Sequence, residues 1–343
     1  IYTLENGLKV YLSVNKDKPR VQTYIGVRVG GKNDPAETTG LAHYFEHLMF
    51  KGTKNFATSD YEAEKPMLDK IEELFETYRV TTDEEQRKIL YSQIDIISQE
   101  AAKIARPNEY DKLMSAIGAQ ETNAFTSKDM TAYVENIPPN EIENWAIIQA
   151  DRFTNPVLRL FHTELETVYE EYNMSVARDG NKTYEALFQG LFPHHPYGTQ
   201  TVLGAPEHLK NPSITNIKEY FETYYVPNNM GICMVGDFNP DEVIAIIDKH
   251  FGQMKAKEIP EFKTEAEKPI EKPVVKEVVG IEAENISIGF RLPGASTQDA
   301  AILEVMDYLL TNGKAGILDL NLVKKQKILS GGSYTNCMGD YSV

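Results

Sequence analysis

Residues 40–53, GLAHYFEHLMFKGT, constrain this chain more than any other stretch. They carry His43, Glu46 and His47 in the order H-x-x-E-H, set among apolar Leu41, Phe45, Leu48 and Met49. That apolar spacing predicts a buried helix. On a helix, positions i and i+4 share a face, so His43 and His47 can offer two imidazoles to one ion. Glu46 can reach the same region without entering the inner ligand shell. Two neutral histidines leave room for a third protein ligand and a water, the open geometry of a catalytic zinc site. A carboxylate beside that water is placed to take its proton. The plain alternative is a helix with two solvated or core histidines. Three suitable residues within five positions weigh against it, because burying two His and a Glu without partners is costly.

A length of 343 residues suggests two domains, or one domain and a large part of another, and 41% hydrophobic residues suffice for a core. The net charge of −16 argues against nucleic acid as the main partner and is compatible with basic or extended peptides. Two cysteines, Cys233 and Cys337, exclude a Cys-based zinc site and argue against a disulfide framework. No apolar run reaches the length of a membrane span. The chain starts at Ile1, as expected of a trimmed or processed piece. A removed signal peptide would point to the periplasm of a Gram-negative source, with the cytoplasm as the alternative.

In chain order, residues 1–29 read as two strands around an Asn-Gly turn and a polar break. The H-x-x-E-H helix follows, so the site is mounted on packed strand and helix layers. Residues 59–106 read as a long, charged helical hairpin broken and capped at Thr81, Thr82 and Asp83. Asn123, Ala124, Phe125 and Thr126 form one short strand. It is joined to Thr131, Ala132, Tyr133 and Val134 by the polar turn Ser127, Lys128, Asp129. An amphipathic helix over 140–153 ends before Pro156. His194 and His195, in FPHHPYG, read as packing or capping residues of a turn. His162, His208 and His250 stand isolated. Residues 211–252 read as helix, buried strand, helix. The Lys/Glu/Pro-rich residues 255–274 have no apolar period and read as a solvated linker. Residues 275–343 repeat a strand–strand–helix order without H-x-x-E-H. The whole pattern is α+β.

A second chemical feature is FHTELETVYEEYNMSVARDG, residues 161–180. Glu164 and Glu171, two turns apart, share a face with Val168, whereas Glu166 and Glu170 share another. Spacing alone makes Glu164 and Glu171 the better pair for a third zinc ligand, and Glu166 and Glu170 a solvated face.

Taken together, the chain resembles the insulinase/pitrilysin family of zinc metallopeptidases. The segments that carry the likeness are ENGLKV, GLAHYFEHLMFKGT, NAFTSKDMTAY, the acidic helix ending in Glu171, HPYG and YYVPNNMGICMVGDF. The resemblance implies a mixed or antiparallel sheet with helices on one side, repeated as homologous domains, here with the second incomplete. It implies His43, His47 and Glu171 as ligands of one zinc ion per chain, Glu46 as catalytic base, and Glu164 as an additional acidic partner behind the ligands. It also implies that Asn123, Ala124, Phe125 and Thr126 bind substrate by strand addition. The resulting expectation has a catalytic domain over 1–254 with a helical insertion at 59–106, a linker over 255–274, and the start of a metal-free homologous domain over 275–343. That insertion makes the separation of His47 from Glu171 longer than in compact members of the family. The activity expected is endopeptidase hydrolysis of extended peptides or small unfolded proteins. Further homologous domains or a partner subunit would close the substrate chamber. A non-catalytic assembly homologue, or a processing-peptidase subunit that needs a partner, is the alternative.

Overall fold

Alternation in VQTYIGV, Val21–Val27, turns Val21, Thr23, Ile25 and Val27 to one side, and all four are buried. In the computed structural model, which describes residues 1–343, this segment is a central strand of a six-stranded sheet. The strands are β1 (Tyr2–Thr3), β2 (Lys9–Val14), β3 (Val21–Val27), β4 (Gln120–Thr126), β5 (Thr131–Ile137) and β6 (Met230–Gly236). Their order is β1-β2-β6-β3-β5-β4. Only β2 and β6 run parallel; the other neighbours are antiparallel, so the sheet is mixed, as expected. The short β1, paired with β2 across the Asn-Gly turn, adds a third strand to the two expected in residues 1–29.

One face of the sheet is buried under helices through Val10, Ile25, Tyr133, Ile232 and Met234. The other face presents Tyr11, Tyr24, Phe125 and Val235. Six helices position the site: α1 (Leu41–Leu48), α2 (Tyr61–Val80), α3 (Glu84–Ala102), α4 (Glu109–Ala116), α5 (Ile142–Thr154) and α6 (Phe161–Val176). Helices α2 and α3 are the expected hairpin. Asp60 caps the first by accepting from the backbone N–H of Ala63, and Asp83 caps the second by accepting from that of Gln86. Helices Ile214–Tyr224 and Pro240–Phe251 flank β6 in sequence, again as expected.

Contacts divide the chain into two units, residues 1–178 with 199–265, and residues 179–198 with 266–343. The sheet and α1 to α6 belong to the first. The second has its own small core of Phe188, Leu191, Phe192, Tyr197 and Met338. It contains the helices Asp179–Leu191 and Gln298–Leu310 and a two-residue strand pair, Leu292–Pro293 with Tyr341–Ser342. Of the strands expected at the start of residues 275–343, only the two-residue Leu292–Pro293 forms; residues 275–291 join no ladder. Their apolar residues Ile281, Ile286 and Ile288 are largely exposed, and no neighbouring strand supplies a ladder. No helix is long and apolar enough to cross a membrane.

Candidate metal centre

Helix α1 is short and pinned at both ends. Gly40 enters it at φ 86°, a left-handed conformation that suits glycine. The buried carboxylate of Asp34 then accepts the backbone N–H groups of Gly40, Leu41 and Ala42 at 2.8, 3.1 and 2.9 Å. These donors would otherwise be orphaned at a helix start. Burial pushes the Asp34 carboxyl up to about 7, against the pull of those three N–H groups. At the other end, buried Arg152 of α5 donates from Nε to the Met49 carbonyl at 2.8 Å. Arg152 is in turn fixed by Tyr110, whose hydroxyl accepts from its Nη1 and donates to buried Glu135 of β5.

Within this frame His43 and His47 turn the same way. Their Nε2 atoms lie 3.2 Å apart. Glu171, from the last turns of α6, brings its Oε2 to 3.5 Å from His43 Nε2 and 3.4 Å from His47 Nε2. An ion held at about 2.0–2.1 Å by tetrahedral ligands has ligand–ligand edges of roughly 3.3–3.4 Å. The three separations therefore fit two nitrogens and one carboxylate oxygen around a single zinc-sized ion. Three protein ligands of this kind leave a fourth position open.

Glu164, two turns before Glu171 on α6, does not join that triangle. Its Oε1 lies 2.9 Å from His47 Nδ1 and its Oε2 2.5 Å from Lys51 Nζ. Glu166 and Glu170 are exposed, as their face predicts. Burial, and then the neighbouring His47, holds His43 down to about 4, so its imidazole is neutral near neutral pH. For His47 burial acts downward too. The bond to Glu164 and the charges of Glu171, Glu164 and Glu46 outweigh it and raise this imidazole. Burial acts upward on Glu164, but His47 and Lys51 overcome it and hold the carboxyl low.

Glu46 is buried beside these groups. Burial raises its carboxyl, opposed by a hydrogen bond from Thr126 Oγ1 to Glu46 Oε2 at 2.6 Å and by the charge of His47. Thr126 ends β4, one of the two edge strands of the sheet. Along β4, Ala124 and Thr126 pair with Tyr133 and Thr131, while Asn123 and Phe125 pair with Val134 and Ala132. The four residues thus alternate across a strand whose outer side has no neighbour, with one of them touching Glu46.

Several supporting residues carry no signal in the sequence. Lys51 and Gly52 follow the H-x-x-E-H helix directly, yet nothing in the local pattern assigns them a role. Asp34 is separated from the helix start by six positions, too far for a capping signal. Arg159 and Glu64 are 95 positions apart, and nothing local pairs them. Four of the other five histidines are engaged elsewhere. The backbone N–H groups of His194 and His195 both donate to Glu267 Oε1, so this turn is capped by a carboxylate. His162 packs against Tyr91, and His208 Nδ1 accepts from the Thr39 backbone.

Comparison with known proteins bears on family and fold. The family model described as "Insulinase (Peptidase family M16)" matches residues 9–87, which include H-x-x-E-H. The model "Peptidase M16 inactive domain" matches residues 213–343. The zinc protease PqqE of Helicobacter pylori is 25% identical over 336 residues, 96% of this chain and 64% of that protein. The uncharacterized zinc protease YmxG of Bacillus subtilis is 26% identical, over 77% of this chain and 54% of its own. A probable mitochondrial-processing peptidase subunit beta of Schizosaccharomyces pombe is 23% identical over 74% of this chain and 45% of its own. The chain thus spans between about half and two thirds of the length of these relatives. A crystal structure of a protease from Helicobacter pylori superposes with a TM-score of 0.71 at 24% identity, covering 99% of this chain and 72% of that one; the likeness is one of fold. With an insulinase model over the helix that carries the histidines and a second model of the same family over residues 213–343, the chain belongs to the insulinase family of peptidases, M16.

Proposed function

We propose that this chain is the zinc-holding, catalytic part of an endopeptidase that hydrolyses extended peptides or small unfolded proteins. The observation that carries the reading is the convergence of His43 Nε2, His47 Nε2 and Glu171 Oε2 at 3.2–3.5 Å from one another, with Glu46 buried beside them. His43, His47 and Glu171 would hold zinc, and Glu164 would fix the His47 ring from behind through Nδ1. Zinc, when bound, supplies Lewis acidity that acidifies water and polarises a scissile carbonyl.

The chemistry left to the protein is proton handling and positioning. Glu46 takes the proton of the attacking water and returns it to the leaving amine. Thr126 occupies one of its carboxylate oxygens, so the other is available for that transfer. A raised carboxyl suits a group that must accept a proton and release it again in one turnover. The edge of β4 gives an extended peptide a ladder of backbone hydrogen bonds, with side-chain preference left to pockets beside it. Because β4 ends at Thr126, a peptide laid along it runs toward Glu46. Longer relatives support further homologous domains or a partner subunit as the remaining walls of the substrate chamber. The likeness to a processing-peptidase subunit beta keeps a second reading, in which hydrolysis requires a separate partner chain.

Metal analysis of the wild type and Glu171→Gln tests the ligand set. Near one zinc per chain in the wild type and its loss in the variant is expected. Full zinc in Glu171→Gln overturns Glu171 as a ligand and redirects attention to Glu164.

A further inference from the structure

The helical hairpin α2–α3 has no place in the chemistry described above, yet it sends one carboxylate into the interior. Glu64, on the first turns of α2, is fully buried, and so is Arg159, just before α6. Their contact is bidentate: Arg159 Nε to Glu64 Oε1 at 2.9 Å and Nη2 to Oε2 at 3.0 Å. The other donors of the guanidinium reach three backbone carbonyls of the loop that follows α1. Nη1 donates to Lys51 at 2.9 Å and to Phe56 at 3.3 Å, and Nη2 donates to Thr53 at 2.9 Å. Five N–H groups meet five acceptors, the full capacity of an arginine. Gly52 lies between Lys51 and Thr53 at φ +95°, and a Cβ there would run into Arg159 Nη1. The loop backbone is therefore wrapped on the guanidinium.

The held residue matters. Lys51 stands one helical turn beyond His47, and its ammonium meets Glu164, the carboxylate that also contacts His47 Nδ1. We infer that Glu64 and Arg159 are positioning residues for the metal centre: the hairpin braces the Lys51 backbone so that Lys51 and Glu164 hold the His47 ring in its ligating orientation. This inference rests on the zinc reading of His43, His47 and Glu171. It assigns a function to α2 that its charged surface does not suggest. The path runs from α2 through Arg159, the loop, Lys51 and Glu164 to His47, through contacts of 2.5–3.0 Å.

The test is zinc affinity by chelator competition, with folding followed by circular dichroism. Removing Glu64 alone strands a buried guanidinium and risks unfolding, so the informative variant is Glu64→Met with Arg159→Met, which removes both charges and keeps the volume. The double variant should fold and bind zinc about ten- to a hundred-fold more weakly, the usual effect of losing an outer partner of a ligand. Lys51→Met should weaken zinc to a similar degree. Adding Lys51→Met to the double variant should weaken it little further, because both act through one path. A folded double variant with wild-type zinc affinity overturns the inference, as does full additivity with Lys51→Met. If the double variant does not fold, Arg159→Lys, which keeps the charge and loses the fork, carries the same test. A wild type that takes up no zinc overturns the inference together with the reading on which it rests.

Discussion

Nδ1 of His47 and Oε1 of Glu164 lie 2.9 Å apart, and the same carboxylate meets Lys51 through its other oxygen. One imidazole is thus engaged on both nitrogens: Nε2 faces His43 and Glu171, while Nδ1 faces Glu164. A carboxylate in that place fixes the tautomer and makes the ring a better donor. Replacing Glu164 by Gln keeps the shape but offers Lys51 or His47 an amide N–H where each needs an acceptor. Zinc affinity measured by chelator competition should fall by about ten-fold or more, without loss of fold.

Thr126 sets the second relationship. Its hydroxyl donates to Glu46 and so favours the charged carboxylate. Thr126→Val removes that donor and should raise the Glu46 carboxyl further. The acidic limb of the pH profile of kcat/KM for a peptide should then move to higher pH, because the charged carboxylate has lost a hydrogen-bond donor.

His43 makes the metal-free protein sensitive to acid. Its imidazole sits at about 4 in the fold, against an ordinary value of 6.5 for a free histidine. Between these values the unfolded chain binds the proton and the folded one does not. Stability contributed by neutral His43 is complete above the unfolded value and is lost as pH falls toward 4, by up to roughly 1.4 kcal/mol per pH unit. His47, raised in the fold, works in the opposite sense. The comparison is therefore urea unfolding of the metal-free wild type and His43→Gln. Their stability difference should grow in favour of the wild type from about pH 4 to about pH 6.5.

Gly52 should tolerate no side chain. Its φ of +95° is costly for any other residue, and a Cβ would meet Ala57 and Arg159. Gly52→Ala should destabilise by roughly 1–3 kcal/mol from backbone strain alone. A lower midpoint of thermal unfolding with an accompanying loss of zinc affinity is the expected result, because the loop it distorts carries Lys51.

Periodicity explains what was legible beforehand. His43, Glu46 and His47 could be read because a helix of known pitch relates them within five residues, and the structure keeps that relation. The same pitch separated Glu164 and Glu171 from Glu166 and Glu170. It could not say which of the first two faces the histidines and which stands behind; that depends on how α6 lies against α1. The strand of Asn123, Ala124, Phe125 and Thr126 was visible as a hairpin arm. Its place at the sheet edge depends on β6 inserting between β2 and β3, a pairing between distant parts of the chain. Arg159, Glu64 and Asp34 were illegible for the same reason. Their partners are fixed by tertiary packing, and a lone Arg or Asp carries no period. Residues 275–291 failed in the other direction. Alternating apolar residues there suit a strand, but a strand forms only where a neighbour accepts its backbone bonds.

The most direct measurement is hydrolysis of a peptide library by wild type and Glu46→Gln, with zinc content determined on both. Glu46 touches no ligand position, so the variant should hold near one zinc per chain while hydrolysis falls by about 10²-fold or more. Hydrolysis at the wild-type rate in zinc-loaded Glu46→Gln would contradict Glu46 as the base. Zinc-loaded wild type that cleaves no peptide, alone or with a partner subunit, would contradict the assignment of this site as a peptidase centre.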